Sequence, residues 1–233
     1  MYRPDLIDAL RAGVPGDNVA VDSKVIGFTE TATDVRVVRE SGEELRGDAL
    51  IGADGLKSVV RQQLFGREDP RFVGLSAWRS VIRLPEDGLL PGSDVNWRQS
   101  DRLFHSDPAG LFITYAVHGG DLLNVVATVF ASDQRREPWS LSDDPEQARR
   151  AFSSGCADVQ AVLAAMEKTF VTAYHDRPGL PRWSTDRVTL LGDAAHPIIP
   201  MAGSGASMAI EDAVALGHAL ARHGRRRSRP RRV

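Results

Sequence analysis

Leu190-Leu191-Gly192-Asp193-Ala194-Ala195-His196-Pro197-Ile198-Ile199-Pro200-Met201-Ala202-Gly203-Ser204-Gly205 decides how this chain is read. The apolar run from Val188 ends on Gly-Asp, which predicts a buried strand with the Asp193 carboxylate at its carboxyl end, where ligands of α/β sheets sit. Ala194 and Ala195 are small enough for a ligand to approach the backbone. A proline-bounded loop then reaches Gly203-Ser204-Gly205, which opens a helix predicted to run from Gly205 to Arg222. Free N–H groups at a helix start favour an anionic or electron-rich ligand edge. In that helix Ala209, Ala213, Leu216 and Leu220 recur at helical spacing and predict one buried face. Glycines serving only as caps are the bland alternative; an acid, a Gly-x-Gly and two prolines so close together weigh against it. Gly203-Ser204-Gly205-Ala206-Ser207-Met208 is not a dinucleotide fingerprint, because Met208 stands where the third glycine belongs and no strand leads directly into it.

Working outward, a second strand-to-helix junction stands at Asp48-Ala49-Leu50-Ile51-Gly52-Ala53-Asp54-Gly55-Leu56-Lys57-Ser58-Val59-Val60-Arg61. A buried strand is predicted to end at Gly52 and a helix to cover 57–65, with Ser58 as a cap and Arg61 one turn on. Taken alone, Asp-Gly after a strand is only a turn signal. Before it, Pro4, Leu6, Ile7, Leu10 and Gly13 predict an amino-terminal helix. Strand-like alternation follows at Val19–Val21, Lys24–Thr29, Asp34–Val38 and Glu44–Ile51, as an antiparallel meander. From about residue 72 the pattern changes. Leu75–Leu84, Gly110–Val117 and Asp121–Phe130 read as strands, the last two joined by the turn His118-Gly119-Gly120. Helices are predicted near 143–153 and 157–167, then a strand near 169–174.

The 233 residues are 42% hydrophobic and 26% charged, which is globular composition and excludes a disordered or fibrous chain. No apolar run is long enough for a membrane span, no signal peptide is visible, and the single Cys156 makes no internal disulfide. A cytoplasmic setting is expected. The net charge of −2 conceals seven arginines after Ala221; removing them from the 29 basic residues leaves 22 against 31 acids, or −9. That tail has no aromatic residue for base stacking and no folded basic face behind it, so a solvated terminus is expected over nucleic-acid binding.

The two junctions together resemble the flavin-dependent aromatic hydroxylases of the para-hydroxybenzoate hydroxylase fold, particularly the salicylate-hydroxylase-like and 3-hydroxybenzoate-hydroxylase-like members. Ile51 to Gly55 with Ser58 and Arg61 is similar to the family's Asp-Gly motif. Gly192 to His196, Pro200, Gly203, Gly205 and Glu211-Asp212-Ala213 are similar to its Gly-Asp flavin motif. Arg3 with Leu6 and Leu10 looks like the helix between those motifs and the family's amino-terminal flavin unit. Tyr115 to Asn124 and Glu137-Pro138-Trp139-Ser140 resemble its substrate sheet. The resemblance implies FAD as cofactor, NAD(P)H as electron donor, and a small aromatic substrate hydroxylated with O2. It further implies that Gly192 belongs to the cofactor-binding residues, that Asp193 hydrogen-bonds the ribityl chain, and that N–H groups around Gly203, Gly205 and Ala206 face the flavin's pyrimidine edge. Pro200 would line the flavin where oxygen reacts, Arg3 would contact FAD, and Asp54 would support the pyrophosphate region. No metal is implied.

The expected fold is α/β (α+β): a partial FAD-binding Rossmann-like unit with an inserted antiparallel-sheet substrate domain. Residues 1–71 are read as partial FAD-binding domain, 72–178 as substrate domain, 179–222 as the Gly-Asp segment and last helix, and 223–233 as a disordered basic tail. The family's leading strand, GxGxxG and helix do not occur, Ser204 stands where Gln is common, and Ser207-Met208 replaces an Asn-Gln-like pair. The chain therefore reads as a hydroxylase truncated at both ends, with poor solubility expected from exposed sheet edges. A non-catalytic remnant or interaction subunit that does not hold flavin is the alternative, and a flavin oxidase or halogenase a weaker one. His196 is expected to bond loop backbone rather than act as a base; His105, His118 and His175 are assigned surface or turn roles. Trp78, Trp97, Trp139 and Trp183 are expected in the core or at the sheet edge.

Overall fold

The computed structural model describes residues 2–106, 110–130, 145–200 and 203–227. Within them the chain forms two compact units, residues 1–19 with 72–174 and residues 20–71 with 175–233. The segment Glu137 to Ser140 and the arginines beyond 227 lie outside the described residues, as does the side chain of His105.

The first unit is built on a five-stranded sheet. Its strands are β5 (Arg71–Arg83), β6 (Arg102–Ser106), β7 (Gly110–Val117), β8 (Leu122–Phe130) and β9 (Phe170–Asp176), in the order β6-β7-β8-β5-β9. The pairs β6–β7, β7–β8 and β5–β8 are antiparallel. β7 and β8 join through His118-Gly119-Gly120, where φ is positive at all three residues. Alternation then sorts the side chains: Trp78 and Ile82 of β5, Phe112 of β7, and Leu123, Val125 and Ala127 of β8 share one face. Against them pack Ala148 of α3 (Pro145–Ala151), Phe152, and Val159, Val162 and Leu163 of α4 (Ala157–Ala165). An aromatic chain, Trp97–Phe104–Phe112–Phe152, runs through this core with centroids 6.4, 6.3 and 5.4 Å apart, offset or edge-on as ring quadrupoles prefer. Helix α1 (Arg3–Ala12) belongs to this unit but buries no side chain; Asp5 pairs with His118 at 2.9 Å.

The second unit carries the meander β1 (Val25–Glu30), β2 (Val35–Arg39) and β3 (Glu44–Gly47), antiparallel throughout. Beside it β4 (Leu50–Gly52) pairs in parallel with β10 (Val188–Leu190), in the register Leu50↔Val188 and Gly52↔Leu190. Helix α2 (Val59–Phe65) packs on β4 so closely that a Cβ at Gly52 would stand 2.8 Å from Val60. Phe28, Val35, Val60, Val188, Leu190, Ala194 and Ala195 form the core. Helix α5 runs from Gly205 to Arg227, five residues further than expected, so the first part of the basic tail is helical.

Three expectations are corrected and one strand is added. Val19–Val21 forms no strand; both valines are exposed, and no strand pairs with them. Arg102–Ser106 forms an edge strand whose short, polar sequence carries no clear alternation. Ile51 is 44% exposed, because β10 is the only strand beside β4 among the described residues. The apolar stripe of α5 is not buried either: Leu220 is 55% exposed, while Ala209 and Asp212, nearer the start of the helix, meet Gly192.

Candidate functional site

The parallel pairing of β4 with β10 explains why two motifs 140 residues apart in sequence share one place. Both strands end at the same level, so the Asp54-Gly55 loop and the Gly192-Asp193 turn leave the carboxyl ends of adjacent strands. That is where ligand sites of α/β sheets are built.

Asp54 is committed to the start of α2. Its Oδ1 accepts the Ser58 hydroxyl at 2.6 Å, and its Oδ2 accepts the N–H groups of Val59 at 2.7 Å and Val60 at 3.2 Å. Ser58 in turn accepts the Arg61 N–H at 2.8 Å. These bonds satisfy donors that a helix start leaves unpaired. Asp54 therefore shapes the loop, and Gly55, at φ +75°, makes the turn possible.

The Gly192-Asp193 turn is held from two sides. Gly192 sits at φ +58°, with Ala209 of α5 3.1 Å from where its Cβ would stand, so glycine is required on both counts. Its carbonyl accepts the N–H groups of Ala195 and His196 at 2.8 and 2.9 Å. Its own N–H donates to Asp212 Oδ2 at 3.0 Å, and the same carboxylate oxygen meets His196 Nε2 at 2.6 Å. Burial works against the charge on Asp212, yet the Gly192 N–H and His196 outweigh it and hold the carboxyl below its ordinary range. The imidazole of His196 is paired with a side chain of α5 rather than with the loop backbone expected. Trp183 is 41% exposed at the edge of β10, its carbonyl accepting the Leu190 N–H at 2.9 Å and its ring 4.9 Å from the His196 imidazole.

Behind the turn lies Arg61, 2% exposed. Its Nη1 donates to the carbonyls of Ala194 (3.3 Å) and Ala195 (2.9 Å), and its Nη2 to Pro178 (3.0 Å) and Glu68 (3.5 Å). The two peptide units it grips are those whose N–H groups bind Gly192, so the guanidinium polarises the bonds that close the turn. Arg177 supplies a second clasp: its Nε donates to the Leu56 carbonyl at 2.9 Å and its Nη1 to that of Glu68. Burial, and then the neighbouring Arg61 charge, lower its pKa. Sequence reasoning noticed Arg61 only by its spacing and missed Arg177, whose partner Leu56 lies 121 residues away.

These clasps leave Asp193 itself exposed and without a hydrogen bond among the described residues. Its Oδ1 lies 4.0 Å from where a Cβ of Gly205 would stand, so the carboxylate sits beside the amino terminus of α5. A free acceptor next to the amino terminus of a helix suits a ligand carrying both hydroxyl groups and an electron-rich polar edge, which FAD does. Gly203 (φ +64°), Pro200 and Ala206 are exposed around it, and Gly205 is half-buried. Arg3 belongs to the other compact unit, exposed on α1. Among the described residues no group of three or more His, Cys, Asp or Glu is placed to hold a metal ion, and no helix is long and apolar enough to cross a membrane.

A protein-family model described as an FAD binding domain matches residues 5–232. The chain is 36% identical over 204 residues to 3-hydroxybenzoate 6-hydroxylase 2 of Aquipseudomonas alcaligenes, covering 87% of this chain and 61% of that protein. It superimposes on a salicylate hydroxylase substrate complex with a TM-score of 0.73 and 28% identity, covering 88% of this chain and 53% of that one. With Klebsiella pneumoniae HpxO complexed with FAD and uric acid the TM-score is 0.78 and the identity 26%, covering 94% and 54%. The chain thus spans little more than half the length of these relatives.

Proposed function

Because this chain belongs to the FAD-binding domain family, we propose that it forms part of an FAD-dependent monooxygenase that hydroxylates a small aromatic substrate with NAD(P)H and O2. The observation that carries this reading is the exposed, unpartnered Asp193 beside the start of α5, on a turn clamped by Arg61 and Asp212. The 3-hydroxybenzoate and salicylate hydroxylases among its relatives support a hydroxybenzoate-like substrate.

In this reading Asp193 would accept hydrogen bonds from hydroxyl groups of the ribityl chain, with Gly192 giving the turn its shape. The N–H groups at Gly203, Gly205 and Ala206 would hold the electron-rich edge of the ring system, where the helix dipole would stabilise negative charge. Asp54 would act through the shape of its loop, and Pro200 would lie against the ring system. When bound, FAD supplies the acceptance of two electrons from NAD(P)H and the activation of O2. One oxygen atom enters the aromatic ring and the other leaves as water. Residues 20–71 with 175–227 hold the flavin in this scheme, the sheet of residues 72–174 holds the aromatic substrate, and the enzyme works in the cytoplasm without nucleic acid or membrane as partner.

The test is NAD(P)H consumption by the purified chain supplied with FAD, with and without 3-hydroxybenzoate or salicylate, and chromatography for the hydroxylated product. Substrate-stimulated oxidation with product supports the assignment. A folded chain showing neither would favour a non-catalytic member of the family.

A further inference from the structure

Helix α1 is 10 residues long and buries no side chain, and residues 11–20 are exposed throughout. A helix that short is marginal in water by itself. Its apolar side chains do not anchor it, since Ile7 and Leu10 are 44% and 58% exposed. The half-buried residues are Tyr2, at the amino-terminal cap, with Asp5 and Leu6. Two of these meet one ring on the β7–β8 turn. Nδ1 of His118 stands 2.9 and 3.0 Å from the two carboxylate oxygens of Asp5, and the Tyr2 ring lies T-shaped to the imidazole with centroids 5.8 Å apart.

His118 itself sits at φ +54°, in the left-handed region that a residue with a side chain seldom adopts. The turn thus carries an imidazole where a glycine would fit more easily, and that imidazole is what α1 rests on. The other charged groups of the two elements are Arg3, Asp8 and Arg11, exposed along α1, and Asp121, which follows the turn and pairs with Arg98. Carboxylates and guanidiniums keep their charge between pH 5 and pH 8 and a phenol stays neutral, whereas an imidazole changes its charge in that range. At the acid end an imidazolium faces a carboxylate that it meets through both oxygens. At the alkaline end the ring is neutral, the Coulomb attraction is gone, and an Nδ1–H hydrogen bond is the most that remains.

We propose that Asp5 and His118 form a pH-sensitive latch, which holds α1 ordered on the β7–β8 turn in mildly acidic solution and lets the helix fray as the pH rises. Both partners lie in the compact unit of residues 1–19 and 72–174, and neither belongs to the Gly192-Asp193 turn. The latch therefore stands or falls independently of the flavin reading.

Amide hydrogen exchange of the complete chain at pH 5 and pH 8, expressed as protection relative to the intrinsic rate at each pH, tests it. Protection of the α1 amides from Leu6 to Arg11 is expected to be about two- to fivefold higher at pH 5, the effect of one exposed ion pair. The amides of β8, which lies between β7 and β5, serve as the reference and keep theirs. His118→Asn, which the left-handed turn accepts, abolishes the difference in α1. Asp5→Asn abolishes it as well and serves as the second variant should His118→Asn not fold. That substitution also takes a carboxylate from the first turn of α1 and lowers protection at both pH values alike, so the ratio between them reads the latch alone. Equal protection of α1 at the two pH values, or a difference that survives either substitution, overturns the proposal.

Discussion

Replacing Arg61 by Met is the sharpest structural perturbation the two-motif site offers. Arg61 is 2% exposed and donates to three carbonyls. Two of them belong to Ala194 and Ala195, which are 0% and 2% exposed, so water cannot replace the lost donor there. Leaving a buried acceptor unpaired costs about 1–3 kcal/mol each, or about 2–6 kcal/mol for the two. The Pro178 carbonyl lies on an exposed residue and the Glu68 side chain is 37% exposed, so both regain water and add little. With a urea slope near 2 kcal/mol per molar, the unfolding midpoint should fall by about 1–3 M with the slope unchanged. Hydrogen exchange should quicken first at the Ala195 and His196 amides, whose bonds to Gly192 depend on the gripped peptides. Arg61→Lys, whose single ammonium cannot span the same carbonyls, should fall between wild type and Met. A midpoint shift below about 0.3 M, or unchanged exchange at 195 and 196, would refute the idea that Arg61 sets the turn.

Gly52→Ala should destabilise by about 1–3 kcal/mol in the same assay, because its Cβ would meet Val60 at 2.8 Å and Leu190 at 3.0 Å and force α2 from β4. Asp212 titrates below its ordinary range, so its contribution is complete above the unfolded value of 3.8 and is lost as pH falls through the lower folded value. The stability difference between wild type and Asp212→Asn should accordingly be larger at pH 5 than at pH 3, measured by urea denaturation at each; a difference that grows toward pH 3 would reverse the sign.

Periodicity and turn chemistry made much of this fold legible. The β7–β8 hairpin, the meander and the helices α1 and α2 stand within a few residues of where apolar spacing and Gly placed them. Asp193 at a strand end was legible because an apolar run that stops on Gly-Asp has few other uses. What escaped were features decided by distant partners. The clasp of Arg177 on Leu56 leaves no local pattern, since an arginine that donates to backbone carbonyls needs no particular residue at the other end. The stripe on α5 misled for a related reason: helical spacing shows that a face is able to be buried, while burial itself depends on what packs against it. For Trp183 residue type alone left core and sheet edge open, and its place against His196, with its carbonyl on Leu190 of β10, depends on a loop whose course no periodicity encodes. Resemblance points Asp54 at the cofactor, whereas in the fold both of its oxygens are occupied at the start of α2.

The most direct measurement is an FAD titration of the wild-type chain and of Asp193→Ala, followed by visible absorbance after gel filtration. The wild type should retain yellow flavin, and the variant should bind about 10- to 100-fold more weakly, the effect of losing one charged hydrogen-bond acceptor, without a change in its unfolding midpoint. Equal affinity in the two proteins, or a folded wild type that emerges colourless, would contradict a flavin site built on the Gly192-Asp193 turn.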